Sequence, residues 1–302
     1  MKRQSTITHF QRKFNVKKWF IQTTLAIACT AVLCGCQTTT MGGATGSNRS
    51  QMMIVSSEEM DQASNNAYRS LLQKAKKSNV LNINRTYTNR VSNISKRLIA
   101  QVGVFRKDAL SWRWEINVIS SDTVNAFCMP GGKIVVFSGL IDSLKLTDAE
   151  LAAVIGHEIC HALREHSREQ ASQQVATSIP TAIVGALIGS SELVSSLSDV
   201  MFSLPFSRTM ETEADTMGME LMARAGYDPR AAVNVWKKMA KTNNNNSFDI
   251  LSSHPSDTKR IKNLENHLPE VIPLYEAAKK QTINKSQSGI RQRTIKHRNT
   301  PS

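Results

Sequence analysis

Three residues within five positions, His157, Glu158 and His161, could do chemistry together. They stand in Gly156-His157-Glu158-Ile159-Cys160-His161, after Thr147-Asp148-Ala149-Glu150 and a small, apolar run to Ile155. The run predicts a helix with Asp148 as its cap and Glu150 in the first turn. Residues four apart on a helix share a face, so both imidazoles can aim at one cation. Zn2+ is bound well by such ligands. Glu158 lies one step round, beside a metal rather than on it. There a carboxylate can take a proton from a polarised water. Apolar Val154, Ile155 and Ile159 argue against two solvated histidines on an exposed face.

A third ligand is needed, and one class of zinc site takes it from a Glu on a later helix. The candidate stretch is Arg208-Thr209-Met210-Glu211-Thr212-Glu213-Ala214-Asp215. Glu211 and Asp215 share a helical face, whereas Glu213 points about 200° away from Glu211. This geometry favours Glu211 as ligand, with Asp215 orienting a histidine ring and Glu213 left as a solvated charge. His166 is likewise expected to be solvated, because Glu211 already completes the site.

His-Glu-x-x-His followed by Glu211-x-x-Ala214-Asp215 resembles the HtpX-like zinc metallopeptidases, and more closely their bacterial lipoprotein members. Asn125-Ala126-Phe127-Cys128-Met129-Pro130-Gly131-Gly132, Leu204-Pro205-Phe206-Ser207-Arg208 and His254-Pro255 followed by Arg260-Ile261 extend the likeness from about Trp112 to Ile261. The resemblance implies an α+β, zincin-like (gluzincin) fold, mainly helical, with a small mixed sheet and an edge strand over the active-site helix. It implies one Zn2+ per chain, peptide-bond hydrolysis with Glu158 as general base, and His254 and Arg260 near the reacting centre. Either cation could supply the oxyanion donor. His254 could instead fill the open position on zinc and hold the enzyme latent, and Arg260 could simply pair with Asp257 or Glu265. Asn125, Ala126 and Phe127 are either the substrate-binding edge or an ordinary hairpin.

The formal charge of +14 is divided unevenly along the chain. Residues 1–36 hold six Lys/Arg and residues 279–302 hold seven, with no acid in either, which leaves +1 for residues 37–278. The basic character belongs to the ends, so nucleic acid is not an expected partner. Lys17-Lys18 precede an apolar run, Trp19 to Leu33, and then Leu33-Cys34-Gly35-Cys36, which resembles a lipobox. Residues 1–35 therefore read as a lipoprotein signal peptide, Cys36 as the lipidated residue and membrane anchor, and 36–57 as a flexible tether. Gln37 resembles the outer-membrane sorting pattern, placing the chain in the cell envelope, facing the periplasm. The metallopeptidase domain is expected over 58–278 and a basic disordered tail over 279–302.

Helices are expected over 58–77, 89–105 and 231–240, and strands over 112–119 and 133–137. The segment 179–206 reads as ordinary packing, a mobile flap or a membrane-leaning surface. Cys128 and Cys160 remain in the mature chain, as a redox pair or as buried thiols. The expected function is zinc-dependent cleavage of misfolded or stalled envelope proteins, in reach of outer-membrane assembly machinery. The alternative is a zinc-stabilised chaperone or scaffold, against which an intact Glu158 argues.

Overall fold

The computed structural model describes residues 36–178, 197, 205–242, 248–255 and 258–298. The expected signal peptide and most of the 179–206 segment lie outside the described residues. The sheet has three strands, β3 (Glu115–Ile119), β4 (Ala126–Met129) and β5 (Lys133–Phe137). Its order is β3-β5-β4, with β5 parallel to β3 and antiparallel to β4. Strand β3 starts later than expected: Trp112 and Trp114 pack ring against ring, centroids 5.5 Å apart, before the chain joins the ladder.

Alternation sorts these strands between two layers. Val118, Ala126, Cys128, Ile134 and Val136 face the main core, and Ile119, Met129 and Val135 face a second cluster with Tyr68 and Ala75. The second face is covered by α1 (Ser57–Lys77), and the main core is filled by α2 (Arg85–Ile99), α3 (Ser138–Leu144) and above all α4 (Asp148–Leu163). Leu151, Ile155 and Ile159 of α4 are completely buried. Each such burial stabilises by about 1.5–3 kcal/mol. The cap of α4 is Thr147, not Asp148. Its hydroxyl accepts from the Glu150 amide (3.3 Å) while the Glu150 carboxylate accepts from the Thr147 amide (2.9 Å), a reciprocal box that Asp148 is one residue too late to form.

The chain continues through α5 (His166–Ser178), α6 (Arg208–Arg224), α7 (Arg230–Thr242), α8 (Asp249–Ser253) and α9 (Thr258–Arg298). Helix α9 carries the polypeptide to Arg298, so residues 279–298 of the stretch expected to be disordered are helical. No described helix is long and apolar enough to cross a membrane.

The 36–57 stretch is not a free tether. Strands β1 (Cys36–Gln37) and β2 (Gln51–Met52) pair antiparallel, and the loop between them straps onto the domain. Thr39 Oγ1 and Gln51 Nε2 donate to the Arg164 carbonyl, at 3.1 and 2.7 Å. The fully buried Glu220 carboxylate accepts from the Ala44 and Thr45 amides, at 2.8 and 3.0 Å. Gly43 makes this approach at φ +61, where an added Cβ would lie 2.4 Å from the Phe105 ring. Buried polar groups on the domain require partners, and the Thr, Gln and backbone groups of the strap supply them.

Candidate metal centre

The site begins where two helices cross with no side chain between them. A Cβ on Gly156 of α4 would lie 3.1 Å from the Gly218 carbonyl, and one on Gly218 of α6 would lie 2.8 Å from the His157 amide nitrogen. Backbone contact at this point lets Glu211, two turns before Gly218, reach the histidines of α4. Ser207 caps α6, its side chain accepting from the Met210 amide at 3.3 Å, and so fixes where the Glu211 turn starts.

His157, His161, Glu211 and His254 converge, each with one donor atom, within 4.8 Å of one another. His161 Nε2 is 3.0 Å from His157 Nε2 and 3.4 Å from Glu211 Oε1. His254 Nδ1 is 3.2 Å from His157 Nε2 and 2.9 Å from Glu211 Oε1. Tetrahedral donors about 2.0–2.1 Å from a zinc ion stand roughly 3.3–3.4 Å apart, so the spacing suits that ion. The donors are also buried, Glu211 1% and His254 2% exposed, and the protons available between facing imidazole nitrogens cannot satisfy them all. A divalent cation can.

Glu158 stands beside this cluster. Its Oε1 has no hydrogen-bond partner and lies 3.5 Å from His254 Nε2. Burial pushes the Glu158 carboxyl above its ordinary range, although His254 and His157 pull the other way. A small cavity of about 80 Å³ opens over Glu158, His161 and His254, walled by Asn125–Met129 and by Phe206. Strand β4 is an outer strand of the sheet, so Ala126 and Phe127 belong to an edge that borders the cluster. The larger cavity, about 540 Å³, is elsewhere, between α1 and the Pro130-Gly131 turn.

A sequence model of peptidase family M48 matches residues 85–268. The chain belongs to peptidase family M48. Mitochondrial metalloendopeptidase OMA1 of Arabidopsis thaliana is 43% identical over 164 residues, 54% of this chain and 33% of the relative. Metalloprotease LoiP of Escherichia coli is 26% identical over 251 residues, 81% of this chain and 95% of LoiP. The beta-barrel assembly-enhancing protease of Yersinia pestis is 26% identical over 201 residues, 62% of this chain and 40% of that protein. The chain spans about a third to a half of the OMA1 relatives it matches.

Within the M48 domain several side chains lie where the sequence did not put them. Arg260 does not reach the cavity as a free cation. Its Nε and Nη2 donate to the two Asp215 oxygens at 2.7 Å each, Nη1 lies 2.6 Å from Glu211 Oε2, and its guanidinium stacks 3.9 Å from the Trp236 ring. A bidentate pair with a buried carboxylate holds it behind the cluster. Asp215 Oδ1 also lies 3.0 Å from His157 Nδ1, though off the line of a good hydrogen bond. Glu213 is not solvated but pairs with Arg164 Nη2 (3.0 Å) and Arg49. His166 is fully buried, with Nδ1 2.9 Å from His161 Nδ1 and Nε2 3.0 Å from Glu213 Oε2. Glu213 is covered by Arg49 of the strap, and His166 is enclosed by His161, Glu213 and Phe206, neighbours that local spacing cannot foresee. Phe206, part of the Leu204-Pro205-Phe206-Ser207-Arg208 motif, stacks its ring on His161 at 4.1 Å, a role the motif alone does not reveal. Cys128 and Cys160 are both buried and free, and burial pushes each thiol well above its ordinary pKa.

Proposed function

We propose that this chain is a zinc-dependent endopeptidase of the bacterial cell envelope, acting on unfolded or misassembled polypeptides. The observation that carries the reading is the convergence of His157, His161 and Glu211 beside the buried Glu158 carboxylate, whose Oε1 has no hydrogen-bond partner, under an edge strand. Zinc held there supplies Lewis-acid polarisation of the scissile carbonyl and acidifies water. Glu158 takes a proton from the attacking water at a carboxylate oxygen and returns it to the leaving amine. Asn125, Ala126 and Phe127 hold the extended substrate by added-strand pairing, the mode open to any exposed sheet edge. Asp215 orients His157, and Arg260 fixes Asp215 and Glu211 rather than contacting substrate.

His254 occupies the fourth donor position, 2.9 Å from Glu211 Oε1. Catalytic zinc sites keep that position open, so the arrangement is a latent one, opened when the loop carrying His254 withdraws. The same closure favours a second reading, a zinc-stabilised chaperone or scaffold, because structural sites have four protein ligands.

The envelope location rests on Leu33-Cys34-Gly35-Cys36, with lipid on Cys36, and on likeness to a beta-barrel assembly-enhancing protease. That likeness also supports outer-membrane assembly machinery as a partner. The test is zinc content and casein cleavage by the wild type and by His254→Ala. Chelator-sensitive cleavage that rises in His254→Ala supports the latent protease. A zinc-loaded His254→Ala that cleaves nothing supports the scaffold.

A further inference from the structure

The strap between β1 and β2 reaches the metal cluster through a line of side chains that the reaction itself does not use. Arg49 of the strap lies with Nε 3.0 Å from Glu213 Oε1 and Nη2 3.2 Å from Glu213 Oε2. Its Nη1 and Nη2 also donate to the two Glu169 oxygens, at 2.6 and 2.8 Å. Glu213 Oε2 is 3.0 Å from His166 Nε2, and His166 Nδ1 is 2.9 Å from His161 Nδ1. The far nitrogen of the His161 ring, Nε2, is the one that faces the ligand cluster.

Only one proton order satisfies this line when His161 Nε2 holds a cation. His161 then carries its proton on Nδ1 and donates it to His166 Nδ1. His166 must therefore carry its own proton on Nε2, which donates to Glu213. Glu213 accepts as an anion, and Arg49 and Arg164 balance its charge. The Arg164 guanidinium is wholly buried and also depends on the strap, donating to Thr40 Oγ1 at 3.1 Å and to the Arg49 carbonyl at 3.2 Å.

We infer that the N-terminal strap is part of the metal centre: Arg49, through Glu213 and His166, fixes the tautomer and orientation of His161. These three are positioning residues, because none touches the reacting atoms. The inference rests on the metal site proposed above but not on proteolysis. It also makes residues 38–55 a working piece of the domain rather than a leash.

The experiment measures zinc dissociation constants by chelator competition on the full chain, for wild type, Arg49→Ala, Arg49→Lys and Glu213→Gln. The Co2+ absorption spectrum and the Tm of each zinc-free protein are recorded alongside. Removing a group behind a metal ligand commonly weakens the metal about 10–100-fold. Glu213→Gln is expected to show a loss of that size and an altered Co2+ spectrum. Arg49→Ala is expected to show a smaller loss, and Arg49→Lys to lie between it and wild type. Arg49 has a one-third exposed side chain, so its variants carry the test if Glu213→Gln fails to fold. Zinc affinity within twofold of wild type in folded Arg49→Ala would overturn the inference, whether or not its zinc-free Tm falls. A wild type that binds zinc and cleaves nothing counts against the proposed function and leaves the affinity readout intact.

Discussion

Replacing Gly218 by alanine puts a methyl group where the backbone of the facing helix already runs. The new Cβ would stand 2.8 Å from the His157 nitrogen and 3.0 Å from both Gly156 C and His157 Cα. Ordinary contact begins near 3.4 Å, so α4 and α6 must part by about half an ångström. The obstructing atoms are backbone, and no rotamer change relieves them. Overpacking of this kind costs about 1–3 kcal/mol. For a domain of this size each kcal/mol moves Tm by roughly 2–4 °C, giving a fall of about 2–12 °C in the zinc-free protein. The displacement falls on His157 itself, so zinc affinity should drop together with Tm, which a defect remote from the site would not require. Calorimetry of the zinc-free protein and chelator competition measure the two effects. Gly218→Ala with wild-type Tm and wild-type zinc affinity would refute the account of how the helices assemble the site.

Arg260→Ala leaves Asp215 and Glu211 buried without their cation and should cost about 3–5 kcal/mol in zinc-free stability, read by urea unfolding. Glu165 is pushed up by burial but held below the ordinary carboxylate range overall by Arg106 and Arg168. A depressed folded pKa gives stability that is full above about pH 4.3 and is lost as pH falls through the folded value. Glu165→Gln should therefore flatten the acid limb of a stability–pH curve and lower stability at neutral pH. An unchanged acid limb would remove Glu165 as its source. Cys36→Ala should abolish incorporation of labelled palmitate into the chain, read by metabolic labelling of cells. Labelling that persists in Cys36→Ala would dismiss Cys36 as the lipidated residue.

Much of the site was legible because helical spacing is a local property. Four-residue intervals place His157 with His161 and Glu211 with Asp215, and two-residue alternation sorts the faces of β4 and β5. What local spacing cannot give is which helix faces a distant segment covers. Glu213 read as solvated because it points away from Glu211 on its helix, and His166 because Glu211 already completes the ligand set. Arg49 of the strap, more than a hundred residues earlier in the chain, closes over Glu213, and His166 is enclosed by His161 and Glu213. The strap itself read as a tether because it is rich in Thr, Ser and Gly. Its order comes from hydrogen bonds to the buried Glu220 and to the Arg164 carbonyl rather than from a hydrophobic stripe. Arg260 was expected to contact substrate or to pair with Asp257 or Glu265. The fold instead offers Asp215, 45 residues away and already buried behind the cluster. The glycine crossing that lets α6 meet α4 had no local signature, since Gly156 and Gly218 show their purpose only as a pair.

Proton transfer by Glu158 at a metal held by its neighbours is best measured in the His254→Ala background, where the fourth position is cleared. Casein cleavage and zinc content would be measured with and without Glu158→Gln. Both proteins should hold equal zinc, with cleavage reduced by about 10²–10⁴-fold when Glu158 is replaced. Equal cleavage by the two proteins at equal zinc would contradict it.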